Sequence, residues 1–313
     1  MIGFLARRLL ATVPVLMVVA VVVFLMLRLT PGDPAAVIAG DSASVEQVAE
    51  IRAKLGLDRP LLSQFAVWSG RVLTGNLGES FFFKKTVAQL IEQRVEPTLS
   101  LSLATIVIAV LVAVPLGVVA AHRRGGWLDR VLMGFSVLGF SVPVFVIGYL
   151  LIYVFAIATD WLPVQGYVRL GDGVGRWLVH LILPSSTLAV IYIALIARMT
   201  RASVIEVLGE DYIRTARAKG LPERVVLVRH ALRNAAVPIV TVIGLGIGLL
   251  IGGVVVTESV YNIPGIGRLT VDAVLARDYP VIQAVILLFS FVYVLLNLLI
   301  DVAYSFFDPR IRY

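Results

Sequence analysis

The residues that most invite a chemical reading lie in one stretch, Glu210 to Pro238, EDYIRTARAKGLPERVVLVRHALRNAAVP. It carries Arg214, Arg217, Lys219, Arg224, Arg229 and Arg233 against Glu210, Asp211 and Glu223, between two long apolar runs. The types and spacing suit docking rather than bond making. Glu210 and Asp211 fall in the first turn of a predicted helix, Lys219 in its last, and Gly220 just beyond. Acids compensate the dipole at a helix N-terminus and cations at a C-terminus. Glycine at the C′ position accepts the left-handed conformation that stops a helix, and Pro222 blocks continuation. A helix of about nine residues is roughly 13 Å long. Alone in water it is marginal, so the rest of the chain or a partner must hold it.

Groupings for catalysis are missing. His122, His180 and His230 are scattered, with no carboxylate or cysteine at ligand spacing. No metal site and no acid–base centre is therefore expected. The sequence has no cysteine, which excludes disulfides, thiolate metal sites and a catalytic thiol. No G-x-x-x-x-G-K-[ST] occurs, so the usual phosphate loop is absent. The chain itself is expected to need no cofactor.

Three further sets are candidates. Gly244, Gly248 and Gly252 recur every four residues, a smooth stripe that lets another helix approach closely; the alternative is that glycine is simply frequent in membrane helices. Val254, off this stripe, is expected to tolerate exchange for leucine, a swap among apolar side chains. Ser136, Ser141, Ser185 and Thr241 are candidates for a polar pathway, although hydroxyls also bond their own helix backbone. Glu258 and Asp301 are ionisable residues within apolar runs, functional suspects by default. Both lie near run ends, where a solvated helix end is expected.

The elements that position these residues follow from composition. The chain of 313 residues is 59% hydrophobic and 15% charged, with mean hydropathy +0.95. Runs near 9–29, 98–120, 131–157, 178–200, 235–257 and 281–303 predict about six membrane spans. The expected fold is an all-α polytopic membrane protein. Its parts are an N-terminal transmembrane helix (1–30), an external soluble helical insert (31–95), a five-helix core (96–304) containing the 200–234 loop, and a tail (305–313). The first run is too long for a cleaved signal peptide, so an uncleaved span is expected.

The insert opens on a turn cluster, Thr30-Pro31-Gly32-Asp33-Pro34. Ser44 to Gln47 reads as a capping box, followed by a face of Val45, Val48, Ile51 and Leu55 that ends at Gly56. Phe65, Trp68 and Val72 predict a second amphipathic helix; Val87, Leu90 and Ile91 predict a third, ending before Pro97. Pro143, inside the third run, breaks one backbone bond there.

Orientation follows from Lys and Arg. With the N-terminus inside, inner segments gather Arg7, Arg8, Arg123, Arg124, Arg130, the basic 198–233 loop, Arg310 and Arg312. The two short outer loops carry only Arg169, Arg176, Arg268 and Arg277. The positive-inside rule then places both termini and the loop in the cytoplasm. The net charge of +7 is accounted for without nucleic acid as a partner.

The basic loop resembles the cytoplasmic coupling loop of ABC-importer permeases, which reads Glu-Ala-Ala, three residues, then Gly. Gly220 matches the glycine and Ala216 the second alanine; Arg214 and Thr215 replace the usual Glu and Ala. TARAKG followed by RHALRNAAVP is similar to the dipeptide, oligopeptide, glutathione and nickel branch. PGDP, LGLDRPL, GNLGES, Thr98-Leu99-Ser100-Leu101 and the terminal Asp308-Pro309-Arg310 are similar to the same branch.

The resemblance implies a non-enzymatic permease subunit of the bacterial inner membrane. It would import dipeptides, short peptides or glutathione, with nickel chelates or another small solute as the alternative. Implied partners are a homologous second permease, two ATPase subunits that bind ATP and magnesium, and an external substrate-binding protein, all assembled in the lipid bilayer. The residues it implies for ATPase coupling are Glu210, Asp211, Tyr212, Arg214, Thr215, Ala216, Arg217, Ala218, Lys219 and Gly220, with Ala216 small enough to press against a partner. A stand-alone secondary transporter would instead need mid-membrane ionisable residues and broken helices in matching halves. A structural or insertase-like membrane protein would need neither ATP nor a binding protein.

Overall fold

A computed structural model describes residues 2–29, 33–40 and 43–307. The expected Thr30-Pro31-Gly32 turn and the 308–313 end of the tail lie outside the described residues. In chain order the helices are α1 (Ile2–Leu29), α2 (Pro34–Ala39), α3 (Val45–Leu55), α4 (Leu61–Leu73), α5 (Val87–His122), α6 (Trp127–Ser141), α7 (Val144–Ile152), α8 (Val174–Leu208), α9 (Asp211–Ala218), α10 (Glu223–Val225), α11 (Ala236–Val260), α12 (Ile266–Leu275) and α13 (Tyr279–Phe307). π-Helical turns extend α7 through Tyr153–Ala158 and α10 through Val226–Leu232. Among the described residues the only extended pairing is an isolated bridge between Glu79 and Thr86. The fold is all-α, as a bilayer demands of a chain whose backbone groups must be satisfied internally.

Among the described residues four helices are long and apolar enough to cross a membrane: α5, α8, α11 and the Tyr279–Val302 part of α13. α1 contributes a shorter apolar stretch, Leu10–Met26. The run expected as one span at 131–157 is instead a pair, α6 and α7 with its π-helical extension, bent by 105°. The cause is local. Proline disfavours the helical region for the residue before it, and Val142 is extended at φ −92°, ψ 124° ahead of Pro143. Pro97 has the opposite outcome. The sequence predicts a helix end there, yet α5 runs from Val87 to His122 with both Pro97 and Pro115 inside it. Proline's fixed φ near −65° is itself helical, so the cost is one lost hydrogen bond and local crowding, which a helix of this length survives.

The chain divides into two compact units. The first comprises Met1–Glu96 with Arg268–Leu295. In it the predicted capping box is present: Gln47 N–H donates to Ser44 Oγ at 3.3 Å and Ser44 N–H to Gln47 Oε1 at 2.9 Å. Gly56, at φ +68°, ends α3. Asp33 caps α2 and accepts from Arg52 of α3 at 2.5 Å. Phe24 joins α1 to α4, its ring centroid 5.2 Å from that of Phe65 and 5.6 Å from that of Trp68. Buried Asp278 accepts from Ser80 Oγ and, at 3.2 Å, from Phe82 N–H.

The second unit comprises Pro97–Gly267 with Leu296–Tyr313. α8 is its axis, with α6, α7 and α11 packed on it. Its buried face, Leu181, Leu188, Ala189, Tyr192, Ile196 and Ala197, meets Leu250, Val254 and Tyr261. Small residues set the close approach. A Cβ on Gly139 would sit 3.1 Å from Ala194 Cβ, one on Gly246 3.3 Å from the Tyr192 ring, and one on Gly253 3.0 Å from Leu188 Cδ2.

The expected glycine stripe is not one surface. A Cβ on Gly244 would press into Ile300, 2.7 Å from its Cγ1, whereas Gly252 has nothing within 4 Å and Gly248 is half-buried. Val254, expected to tolerate exchange for leucine, is only 2% exposed, so added bulk there meets a packed core. It sits on the α8-facing side of α11, and the uniformly apolar sequence there does not distinguish that side from the lipid side.

Gly117 tests the packing of α5 on α8. A Cβ there would lie 2.6 Å from Thr200 Cβ and 2.7 Å from the Ala197 carbonyl oxygen of α8. Gly117→Val should lower stability by about 1–3 kcal/mol or more, read as a drop in thermal unfolding temperature and in monodisperse yield from detergent. Leu249→Val, at a side chain 67% exposed, should leave both near wild type. Equal behaviour of the two variants would contradict the packing described.

Candidate coupling site

α9 forms where its sequence predicts, although Glu210, expected in the first turn, is its N-cap. Asp211 stands in its first turn, and Arg214 pairs with it at 3.2 Å. Lys219 falls one residue past the helix, as its C-cap, rather than in its last turn. Gly220 takes φ +77°. Its N–H donates to Arg217 O at 2.9 Å, and Leu221 N–H donates to Ala216 O at 3.3 Å. This pair of bonds is the Schellman ending, in which the left-handed residue is glycine.

What holds α9 is the chain itself. Ile213 is fully buried and Ala216 is 7% exposed; with buried Val226 they pack on Val207 and Leu208, at the end of α8. Positions three apart share a helix face, so one side of α9 is an anchor. Burying the isoleucine side chain contributes about 1.5–3 kcal/mol. The expectation that Ala216 presses on a partner is therefore corrected: its side chain is spent within this subunit. Asp211, Tyr212, Arg214, Thr215, Arg217, Ala218 and Lys219 are all exposed. At 100° per residue, Asp211, Thr215 and Ala218 lie opposite the anchor.

Polar clips fix the segment after α9. Arg217 donates to Glu223 through two nitrogens, at 2.7 and 3.2 Å. His122 Nδ1, at the end of α5, lies 3.6 Å from the same carboxylate. The Arg217 hydrogen bond holds the Glu223 carboxyl below the usual range, and the Glu223 bond raises the Arg217 guanidinium. Both directions favour the charged forms, so the clip stays ionised at neutral pH. Asn234 Nδ2 donates to Tyr212 Oη at 2.8 Å and to His230 O at 2.9 Å. Glu210 makes no side-chain cap bond.

Two pairings had no signal in the sequence. Arg201 of α8 grips Asp129 of α6, donating from Nε to Oδ1 and from Nη2 to Oδ2, the latter at 2.7 Å. Gly125 N–H donates to the same carboxylate at 2.9 Å. Glu258, expected as a solvated helix end, is fully buried. Thr98 Oγ1 donates to its Oε1 at 2.6 Å, and Ile266 N–H donates to Thr98 Oγ1 at 2.8 Å. The Gly265 and Gly267 backbones close over the carboxylate, with no room for a Cβ at Gly265. The turn at 261–267 folds back onto the end of α11, which no local pattern announces.

Each of the pathway candidates donates to a helix backbone carbonyl. Ser136 is buried and donates to Leu132 O at 2.8 Å and across to Ala194 O at 3.2 Å. Ser185 is buried and bonds Leu181 O and Ile182 O. Ser141 is exposed and donates to Val137 O at 2.9 Å. Thr241 is half-buried and donates to Val237 O at 2.8 Å.

Known proteins resemble this chain over its length. Residues 113–313 match the family described as the binding-protein-dependent transport system inner membrane component, and residues 1–102 match the N-terminal region of such membrane components. A probable peptide ABC transporter permease protein of Sinorhizobium fredii is 58% identical over 99% of each chain. A putative peptide transport system permease protein of Brucella abortus is 45% identical over the whole of both chains. The glutathione transport system permease protein GsiC of Escherichia coli is 46% identical, again over both whole chains. This multi-pass chain thus belongs to the family of binding-protein-dependent transport system inner membrane components, the permeases of ABC transporters.

Proposed function

We propose that this chain is one of two permease subunits of an importer, driven by two ATPase subunits that dock on α9. The observation that carries the proposal is the two-sided character of α9. Its inner face is locked by Ile213 and Ala216 to the end of α8, and its outer face is presented to solvent. A push on Asp211, Thr215 and Ala218 is thereby passed to α8, on which α6, α7 and α11 pack. Rocking of that bundle would alternate the access of a central path. The chain supplies no catalytic centre in this reading; ATP and magnesium are handled by the ATPases.

The substrate class is short peptides or glutathione, supported by the names of the relatives in Sinorhizobium, Brucella and Escherichia. An external binding protein would deliver it. The basic loop faces the cytoplasm, with both termini, on the positive-inside rule. The open Gly252 side of α11 is the face we assign to the second permease, since a backbone without side chains admits a neighbouring helix closely.

Three outcomes test this reading. The chain lacks cysteine, so single cysteines report topology. In intact cells a membrane-impermeant maleimide should label Asp58→Cys and leave Arg214→Cys untouched; labelling of position 214 from outside would reverse the orientation.

Ala218→Glu alters only the outer face of α9. Normal membrane levels are expected, with ATPase co-purification reduced about tenfold, equivalent to roughly 1.4 kcal/mol. Ile213→Ala should instead keep the outer face and lose the anchor, at about 2–5 kcal/mol of local stability. Amide exchange in residues 211–220 would rise, and hydrolysis stimulated by loaded binding protein would fall. Wild-type uptake from both variants would show that α9 transmits nothing.

Gly252→Leu should leave the isolated chain as stable as wild type and reduce its recovery with the second permease. Unchanged recovery would place that face against lipid.

A further inference from the structure

Away from the coupling site, the unit formed by Met1–Glu96 and Arg268–Leu295 contains a cavity of about 140 Å³. A single water needs roughly 10–15 Å³ of such space, so the cavity has room for an oxyanion. Arg28, Arg59 and Arg71 line it, together with Gln64, Trp68, Asn76 and Gln283; among the described residues no acidic one does. Among the described residues, none of the three arginines has a carboxylate within ion-pair distance.

Arg28 is nonetheless fixed in place. Its Nε donates to Gln64 Oε1 at 2.8 Å and its Nη1 to Phe24 O at 2.9 Å, and its guanidinium lies 3.6 Å from the centroid of the Phe24 ring. Gln64, itself buried, is held by bonds from Nε2 to Leu57 O at 3.2 Å and Arg59 O at 2.7 Å. An oriented guanidinium without a countercharge is a site built for an anion, because its planar fork matches phosphate and carboxylate oxygens. The adjoining hollow shares Arg28, Arg59 and Gln64 and includes Asp33 and Asp58. Asp33 is already engaged by Arg52.

The depth of the cavity selects the anion. Arg28 follows the apolar stretch Leu10–Met26 by two residues, the level of the headgroups beside a membrane span. Trp68 is of the type enriched at that level. Leu61, 56% exposed at the start of α4, lines the adjoining hollow with Arg28 and Arg59, an apolar side chain beside the cations that an acyl chain can contact. We propose that this cavity binds the phosphate of an anionic phospholipid headgroup, with Arg28, Arg59 and Arg71 as its cationic wall.

The shared chemistry is a phosphate oxyanion, and its two sources are separable. Arg59 and Arg71 make no side-chain hydrogen bond with other described residues, so Arg59→Gln/Arg71→Gln should fold; thermal unfolding checks this. The full-length chain, purified in mild detergent, is titrated with phosphatidylglycerol and, separately, with inorganic phosphate, and retained ligand is counted by native mass spectrometry. Wild type should retain phosphatidylglycerol in the presence of millimolar phosphate. The double variant should retain it about tenfold less, given the contribution of each cation near an anionic surface. Phosphate binding lost in the variant, with phosphatidylglycerol retention unchanged, overturns the lipid as occupant. Equal retention of both ligands by the two proteins overturns the site.

Discussion

The burial of Ile213 against Val207 and Leu208 joins a surface helix to the end of the 35-residue α8. Without it α9 would be eight residues of isolated helix, too short to persist in water. With it, the outer face of α9 becomes an extension of the helix on which the second unit is packed. Ala216 fits the same logic: a small side chain lets α9 lie close to that anchor. The charged residues around it fix the ends and the following turn, through Gly220 and the Arg217–Glu223 clip.

Inside the second unit, lipid-like side chains supply little selectivity, because lipid tails are as apolar as leucine. Close backbone contact and buried polar pairs do that work. Gly117, Gly139, Gly246 and Gly253 let α5, α6 and α11 approach α8. Thr98, Glu258 and the Ile266 N–H tie the end of α11 to the turn before α12. Removing one member of such a network leaves a buried polar group unpaired, which costs more than the bond itself gained.

The sequence was legible where the rule is local. The α3 capping box at Ser44 and Gln47 and the α9 stop at Gly220 were readable because cap and turn chemistry acts within a few residues. The all-α membrane class was readable because a long apolar run has few other uses. Which side of a helix faces inward was not. α11 is apolar all round, so nothing in its sequence announced that Gly252 lies open while Val254 is buried. In α9 the position of the buried face depends on Val207, Leu208 and Val226, which approach only in the fold. Thr98 and Glu258 are 160 residues apart and Asp129 and Arg201 are 72 apart; no pattern in one sequence pairs them. Pro97 and Pro143 carry the same local signal, yet one helix continues and the other bends by 105°.

In the proposed mechanism α9 and the end of α8 move as one body. Spin labels at Glu206 and Arg214, both exposed, report it directly in the assembled transporter, with and without nucleotide trapped on the ATPases. A rigid joint gives one narrow distance distribution that is the same in both states. A shifted or broadened distribution with nucleotide would mean that α9 slides on its anchor, and that the Ile213 contact is not what carries the motion.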